Sequence, residues 1–532
     1  MKSPALVLLG ASLLVALLIF APSLGFPYLP LEDGAHVYAN QRVLEGLGGG
    51  GWGQVFDAQP VWQPVTWMSH LVDSTFGGSV TGRRGMNLLL HLVNTILLFL
   101  VLRRGTGQAG AAAIAAALFA LHPLRSEPVV WIAHRGALVV ALFALLAAWF
   151  ALRGQRIVAG VAAVMSLLAI PFRAPDSLNG WLAAQWFHAR ETFWPVDLAI
   201  DGMPAGSLEA GLGAAVLLLL AASGFLLRSR IPVAAYGLWW TAAAMALFFG
   251  APARAGHGTY VAHLGLMAAL VWMVSELAGP QRVVLARARV VLLLGLAGLT
   301  WLRNSNFRDV FALLTQTRTA AGLTQELQLS LAQLWFEAGN FAASEQEFRE
   351  YLKRVPNSGD GWAGLGNTLL ALKRQQDAAD AFREGTRRAP QSSASYYGLG
   401  IAETNLNRRP EGTAALEKSL QLGLTGRPAA IACNNLGSFL AAEKKYPEAQ
   451  KWFERAIEFD LQFVQAHRNL ALVLNDQGKR RAAIAHLQFK ALLWTNNDET
   501  LGRLNVDLMN LEYRDQAVKQ AEILKKRKAA GQ

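Results

Sequence analysis

Cysteine is almost missing from this chain. Among 532 residues there is one, Cys433, so an intramolecular disulfide is excluded and cysteine usage assigns no compartment. Charge is scarce as well. Charged residues make up 16% of the sequence, against about 25% in soluble proteins. The shortage lies between Met1 and Trp301, where Ala, Leu, Val and Trp dominate and Lys is rare. From Leu302 onward Glu, Gln, Lys and Arg return at ordinary density, which marks a domain boundary in a chain long enough for two or more domains. The net charge of +12 invites a nucleic-acid partner. The arginines, however, stand in short clusters between apolar runs, where membrane topology accounts for them, so no nucleic-acid role is read.

A helix needs about 20 apolar residues to cross a bilayer, fewer when packed among others. Nine segments qualify as spans: 4–24, 87–102, 109–121, 136–152, 157–171, 208–227, 231–250, 259–277 and 290–302. Lipid supplies no partner for backbone polar groups, so the spans are expected to be helices. The first resembles a signal peptide, but further spans follow and it is read as retained. Arg103-Arg104, Arg153 and Arg156, Arg228 and Arg230, and Arg282, Arg287 and Arg289 all fall on one side if the spans alternate. Basic loops stay cytoplasmic, which places Lys2 and the N-terminus inside. The loops 25–86, 122–135 and 172–207 then face outward, as does everything after the last span.

After a connecting segment, 304–324, a 34-residue period sets in. The unit at 359–392 has Trp362, Leu365-Gly366, Ala378, Phe382 and Pro390 at the spacing of a tetratricopeptide (TPR) repeat. The unit before it, 325–358, carries Trp335, Phe348 and Pro356. Three more follow at 393–429, 430–463 and 464–497, the first of them stretched by three residues around Gly423–Arg427. Each repeat is a helical hairpin that buries its apolar face only against its neighbours. Leu501, Leu504, Leu508 and Leu511 suit a capping helix within 498–532. The fold class read here is all-α: a polytopic transmembrane bundle over 1–303, then an α-solenoid of five TPR hairpins over 325–497. The concave surface of that solenoid is the expected protein-binding surface.

The first outward loop begins with Glu32 and Asp33, two acids close to a membrane helix. Charge held so near hydrocarbon is costly, which makes the pair a functional candidate. His36 and Asn40 follow. Then come Trp62, Pro64, Trp67, His70, Asp73 and Gly77, and then Asn87, His91 and Asn94. The second outward loop carries His122-Pro123, Glu127, Trp131 and Arg135. Trp194-Pro195 and the stretch from Gly258 to Leu266 complete the series. In order and spacing these residues resemble the GT-C membrane glycosyltransferases with C-terminal TPRs, a family that includes the transmembrane and TPR-containing O-mannosyltransferases and their bacterial relatives.

The resemblance implies inverting transfer of a sugar from a polyprenyl-phosphate donor to an extracytoplasmic protein presented by the TPR array. An attacking hydroxyl needs a positioned base, and a departing lipid phosphate needs cations. On that implication Asp33 is the general base. Glu32 is its neighbour or, with Asp33, a ligand of a divalent cation (Mg or Mn). Glu127 is a further acid of the site. Arg135 is the first candidate for the phosphate, because a guanidinium offers paired donors. Arg84, Arg190 and Arg254 are weaker candidates, and His70 and His122 complete the set. His91 falls inside a span and is read as a packing or interhelical hydrogen-bonding residue.

The sequence also departs from that family. Ala137 stands where an acid is usual two positions after Arg135. Gly256-His257 replace an Asp-Arg pair, the acidic pair is Glu-Asp, and the bundle looks shortened near residue 171. These departures support a second reading, a GT-C-derived membrane anchor without catalysis, whose TPRs act as a binding scaffold. No acid or base reads as a relay through the spans, which argues against a transporter. Abundant Ala, Gly, Leu and Arg suggest a bacterial inner membrane with the repeats in the periplasm.

Overall fold

Apolar runs dictate the first half and periodic small residues the second, and the chain divides accordingly into two units, Met1–Leu327 and Gln328–Gln532. The computed structural model describes residues 3–170, 177–195, 206–247, 255–277, 282–479 and Ala483, apart from 30–32, 34–36, 38–39, 45, 50–61 and 322. The expected capping helix and most of the fifth repeat's second helix lie outside the described residues, as do Glu32, His36 and Arg254. Among the described residues the elements are helical throughout, with no strand.

Unit 1 contains α1 (Pro4–Phe20), α2 (Pro64–Thr75), α3 (Val80–Thr106), α4 (Ala109–Leu121), α5 (Ser126–Val130), α6 (Gly136–Leu152), α7 (Arg156–Ala169), α8 (Leu178–Phe193), α9 (Ser207–Leu227), α10 (Pro232–Leu247), α11 (Ala255–Leu277), α12 (Arg282–Asn306) and α13 (Val310–Ala321). Among the described residues five stretches are long and apolar enough to cross a membrane: Pro4–Gly25, Val80–Thr106, Ile132–Leu152, Ser207–Leu227 and Thr259–Glu276. The pair Ala109–Leu121 and Pro123–Val130, bent by 62°, makes a sixth if it is one span. That is fewer than the nine expected. Helices α7 and α10 have only 14 and 16 residues, and α12 carries Arg287, Arg289 and Arg303.

The segments between the long apolar helices also carry helices of their own. Segment 172–207 contains α8, started by Ser177, whose Oγ accepts the Gly180 N–H at 3.0 Å. Segment 25–86 holds α2 and the first turns of α3, where Ser79 caps in the same way.

Basic turns join neighbouring helices. Gly107, with φ of 72°, closes α3 by donating to the Arg103 carbonyl at 2.9 Å, and α4 folds back against α3. The turns α6–α7 and α9–α10 carry Arg153 and Arg228 in the same place. Water drives no helix association inside lipid, so close backbone approach has to substitute for it. Helices α10 and α11 meet that need at Gly237 and Gly265: a Cβ on Gly237 would come within 2.5 Å of the Gly265 carbonyl. Alanines do the same on α4, where Ala112, Ala113, Ala115, Ala116 and Ala117 are all fully buried.

Unit 2 is a run of helical hairpins: α14 (Gln325–Glu337) with α15 (Phe341–Arg354), α16 (Gly359–Ala371) with α17 (Gln375–Arg388), α18 (Ser393–Asn405) with α19 (Arg409–Gln421), α20 (Gly426–Ala442) with α21 (Tyr446–Phe459), and then α22 (Val464–Asp476). One left-handed residue makes each hairpin turn: Gly339, Lys373, Asn407, Lys444 and Gly478, at spacings of 34, 34, 37 and 34 residues. The longer spacing is the insertion expected near Gly423. Phe382 of α17 seats against Gly366 of its own repeat and Gly398 of the next, and a Cβ at Gly366 would come within 2.5 Å of that ring. The first helices of successive repeats also pack on one another, α16 with α18, α18 with α20 and α20 with α22. This puts them on the inner, more tightly curved face.

Candidate functional site

Asp33 and Arg84 reach one stretch of backbone, from His122 through α5 to the turn Ile132–Arg135, which itself carries His122, Glu127 and Arg135. Asp33 is fully buried there. Its Oδ1 accepts the Ala133 N–H at 2.8 Å and its Oδ2 accepts the Leu29 N–H at 3.2 Å. Burial pushes its pKa up to about 6, against those two bonds and the nearby Arg84 and His134, which act to lower it. A carboxyl so poised has the pKa of a general base working near neutral pH. Its Oδ1, however, also staples the first loop to the second, and its Oδ2 closes a turn within the first.

The arginines are engaged in the same way. Arg84 donates from Nε to the Val130 carbonyl at 3.0 Å and from Nη2 to the Pro27 carbonyl at 2.6 Å, with Ser23 and Phe26 carbonyls on Nη1. Arg135 pairs with Asp73 at 2.6 Å. Its Nε donates to Asn87 Oδ1 at 2.7 Å, and its other nitrogens reach the carbonyls of Ser69 and Arg83. These are the donors that a phosphate would require.

Glu127 sits 2.9 Å from His134, whose ring stacks on Trp131 at 4.2 Å. His70 is buried beside Trp67, with ring centroids 6.2 Å apart. His91 receives the Tyr260 hydroxyl at 2.8 Å, a contact between α3 and α11. The Arg190 guanidinium lies over Phe187. Ala137 is fully buried. Among the described residues no group of three or more His, Cys, Asp or Glu side chains could hold a metal ion.

Sequence reasoning missed a second cluster. The fully buried Arg125 donates from Nη2 to His263 Nδ1 at 2.6 Å. An arginine only donates, so Nδ1 is an acceptor and Nε2 carries the proton, which it gives to Thr192 Oγ1 at 2.7 Å. Thr192 passes its own proton to the His188 carbonyl at 2.6 Å. His122 is fixed likewise: Nδ1 takes the Leu124 N–H and Nε2 donates to the Thr192 carbonyl at 3.0 Å.

Close by on α8, Glu191 is buried with neither carboxyl oxygen hydrogen-bonded. Burial pushes its pKa up to about 8; Arg303 opposes the shift and Glu127 adds to it. His188 is driven down to about 4, again by burial first. The available signal was ionisable residues at the edges of apolar segments. Their partners lie too far off in the sequence for spacing to reveal them.

Family comparison bears on the other unit. A tetratricopeptide-repeat model matches residues 329–393 and a second matches 430–459. The C-terminal half carries tetratricopeptide repeats. PilF of Pseudomonas aeruginosa is 19% identical over 38% of this chain and 90% of its own, with a TM-score of 0.33. PilW, described as a widely conserved type IV pilus biogenesis factor, is 20% identical over 38% and 92%, at 0.34. YrrB, described as a TPR protein with an unusual peptide-binding site, is 16% identical over 34% and 91%, at 0.29. No curated protein sequence matches the chain.

Proposed function

We propose that this protein is a membrane-anchored scaffold whose TPR array holds a protein partner. The observation that carries the reading is the joining of an apolar helical unit to repeats matched by two TPR models. Stacked helical repeats present extended concave surfaces that suit protein recognition. The engagement of Arg84, Arg135 and Asp33 with their own protein supports an anchor over a phosphate-handling enzyme.

The topology proposed is nine crossings, with the shorter α7 and α10 spanning beside longer neighbours. The basic turns then share the cytoplasmic side, and α12 carries the chain out once after the last of them. The array therefore works outside the cytoplasm, which in a bacterial inner membrane is the periplasm. A reporter enzyme that is active only outside the cytoplasm, fused after Gln532, tests this placement: activity supports it and silence removes it.

A second reading has one observation in its favour. Asp33, Glu127, Arg84 and Arg135 all bear on the single stretch 122–135. That gathering fits a glycosyltransferase using a polyprenyl-phosphate-linked sugar, with Asp33 as base and Glu32 beside it. Mass spectrometry of the captured partner, with and without Asp33→Asn, separates the two. A sugar lost in the variant supports the enzyme, and an unmodified partner in both supports the scaffold.

A further inference from the structure

Two apolar furrows run side by side in unit 1. The larger, about 530 Å³, lies between α6, α7, α10 and α11, and the smaller, about 310 Å³, between α3, α6, α10 and α11. Ala144 and Ala148 of α6 and Trp240 of α10 line both, and so form the partition between them. The Trp240 ring is held in place by its Nε1, which donates to the Val261 carbonyl at 2.9 Å. Two wall hydroxyls are already spent: Ser166 donates to the Val140 carbonyl at 3.0 Å and Thr106 to the Leu102 carbonyl at 2.7 Å. Hydrocarbon suits such walls, because empty apolar space forfeits the contacts of its lining. From Ala151 to Val140 the larger furrow follows α6 for roughly 16 Å, at about 1.5 Å per residue. A hydrocarbon core is about 30 Å thick, so the furrow has the depth of one leaflet.

Both furrows end at the basic turns. Gly105, Thr106 and Leu152 line the smaller one there, and Ala151 lines the larger. Arg104 sits at this mouth, because its Nε donates to the carbonyl of Leu152 itself at 3.2 Å. Arg103 precedes it, Arg153 follows Leu152, and Arg156 opens α7. All four are exposed, and among the described residues none pairs with a carboxylate. The sequence supplies no acid to answer them. From residue 74 to residue 175 the only one is Glu127, which lies 2.9 Å from His134, beyond the opposite end of α6.

We propose that the furrows hold the two acyl chains of one anionic phospholipid of the phosphatidylglycerol kind, with its phosphate at the mouth beside Arg104 and Arg153. Basic clusters at the ends of membrane helices select anionic headgroups. Two furrows under one mouth select a two-chain lipid over a polyprenyl phosphate, which has one chain. The site rests on the reading of unit 1 as a membrane anchor, and the two fail separately. A chain that alkaline carbonate extracts from membranes loses the anchor, whereas an inserted chain without lipid selectivity loses only the site.

The test gives full-length protein in neutral detergent equal amounts of palmitoyl-oleoyl phosphatidylglycerol and phosphatidylcholine, and reads the retained lipid by native mass spectrometry. Wild type holds one phosphatidylglycerol in roughly tenfold preference, and its calorimetric midpoint rises by about 3 °C or more with that lipid alone. Arg104→Gln combined with Arg153→Gln removes the preference while both lipids still bind. Ala148→Phe projects into both furrows with every arginine in place, and retention of either lipid is lost. Ala163→Phe, at an exposed position in the wall of the larger furrow, replaces it if that variant does not fold. Arg349→Gln, an exposed arginine of the repeats, leaves the preference intact. The proposal is overturned by equal retention of the two lipids in wild type, or by a preference that survives the paired arginine variant or the phenylalanine variant. Tighter retention of a polyprenyl phosphate than of phosphatidylglycerol overturns it too.

Discussion

Replacing Glu191 with Gln removes one ionisable proton and almost no volume, and the structure sets the size of the effect. Both carboxyl oxygens are buried without hydrogen-bond partners, so the substitution breaks no hydrogen bond. In the folded chain the carboxyl titrates near 8 instead of the usual 4.5. The fold therefore favours the protonated acid. Its contribution is fully present below the unfolded value and is lost as pH rises through about 8. At about 1.4 kcal/mol per pH unit, the stability surrendered across that window is about 5 kcal/mol. At pH 7 the acid is protonated about ten to one. The assay is urea unfolding of the full chain in detergent at pH 5 and pH 9. Wild type loses stability at the higher pH, whereas Glu191→Gln loses far less and becomes the more stable of the two at pH 9. Infrared difference spectra at pH 6.5 show a carboxylic-acid band that the variant lacks. Parallel pH dependence of the two proteins would refute the reasoning, since it would mean that Glu191 is ionised or solvated in the fold.

Other perturbations follow from the same contacts. Asp73→Asn breaks a buried pair while leaving Arg135 charged, and it is expected to cost about 3–5 kcal/mol in unfolding experiments. Phe382→Ala empties a ring site shared by two repeats and is expected to cost about 3–5 kcal/mol, with loss of helical circular dichroism at lower urea. Lys373→Gly and Lys444→Gly relieve left-handed residues with φ of 61° and 62°, and each is expected to raise repeat stability by up to about 1 kcal/mol. Gly237→Leu forces α10 and α11 apart and is expected to lower the calorimetric midpoint of the membrane unit while leaving the repeat transition in place.

Periodicity made the repeats legible. A glycine, an aromatic and a small residue recurring every 34 positions can satisfy only a stack of hairpins, and the left-handed turns at Lys373 and Asn407 keep that spacing. Apolar length made the longest helices legible, whereas α7 and α10 are shorter and arginines interrupt α12. In the candidate site, sequence order pointed to Asp33, Glu127 and Arg135. It did not reveal that Arg135 is bound to Asp73 and Asn87, or that Asp33 holds Ala133 across 100 residues. The pairing of Arg125 with His263 spans 138 residues, from the turn Pro123–Arg125 to α11, and no local pattern encodes it. Glu191 was hidden for another reason. It lies in a segment read as an outward loop, which a serine cap turns into the buried helix α8.

The scaffold account rests on partner binding by the inner face of the repeats. Site-specific photocrosslinking in cells tests it most directly, with the probe placed in full-length protein at Asn435 on the inner helix α20 or at Asp380 on the outer helix α17. The account predicts one discrete protein adduct from position 435, none from 380, and the same adduct when Asp33 is replaced by Asn. No adduct from position 435, or equal adducts from both faces, would contradict it.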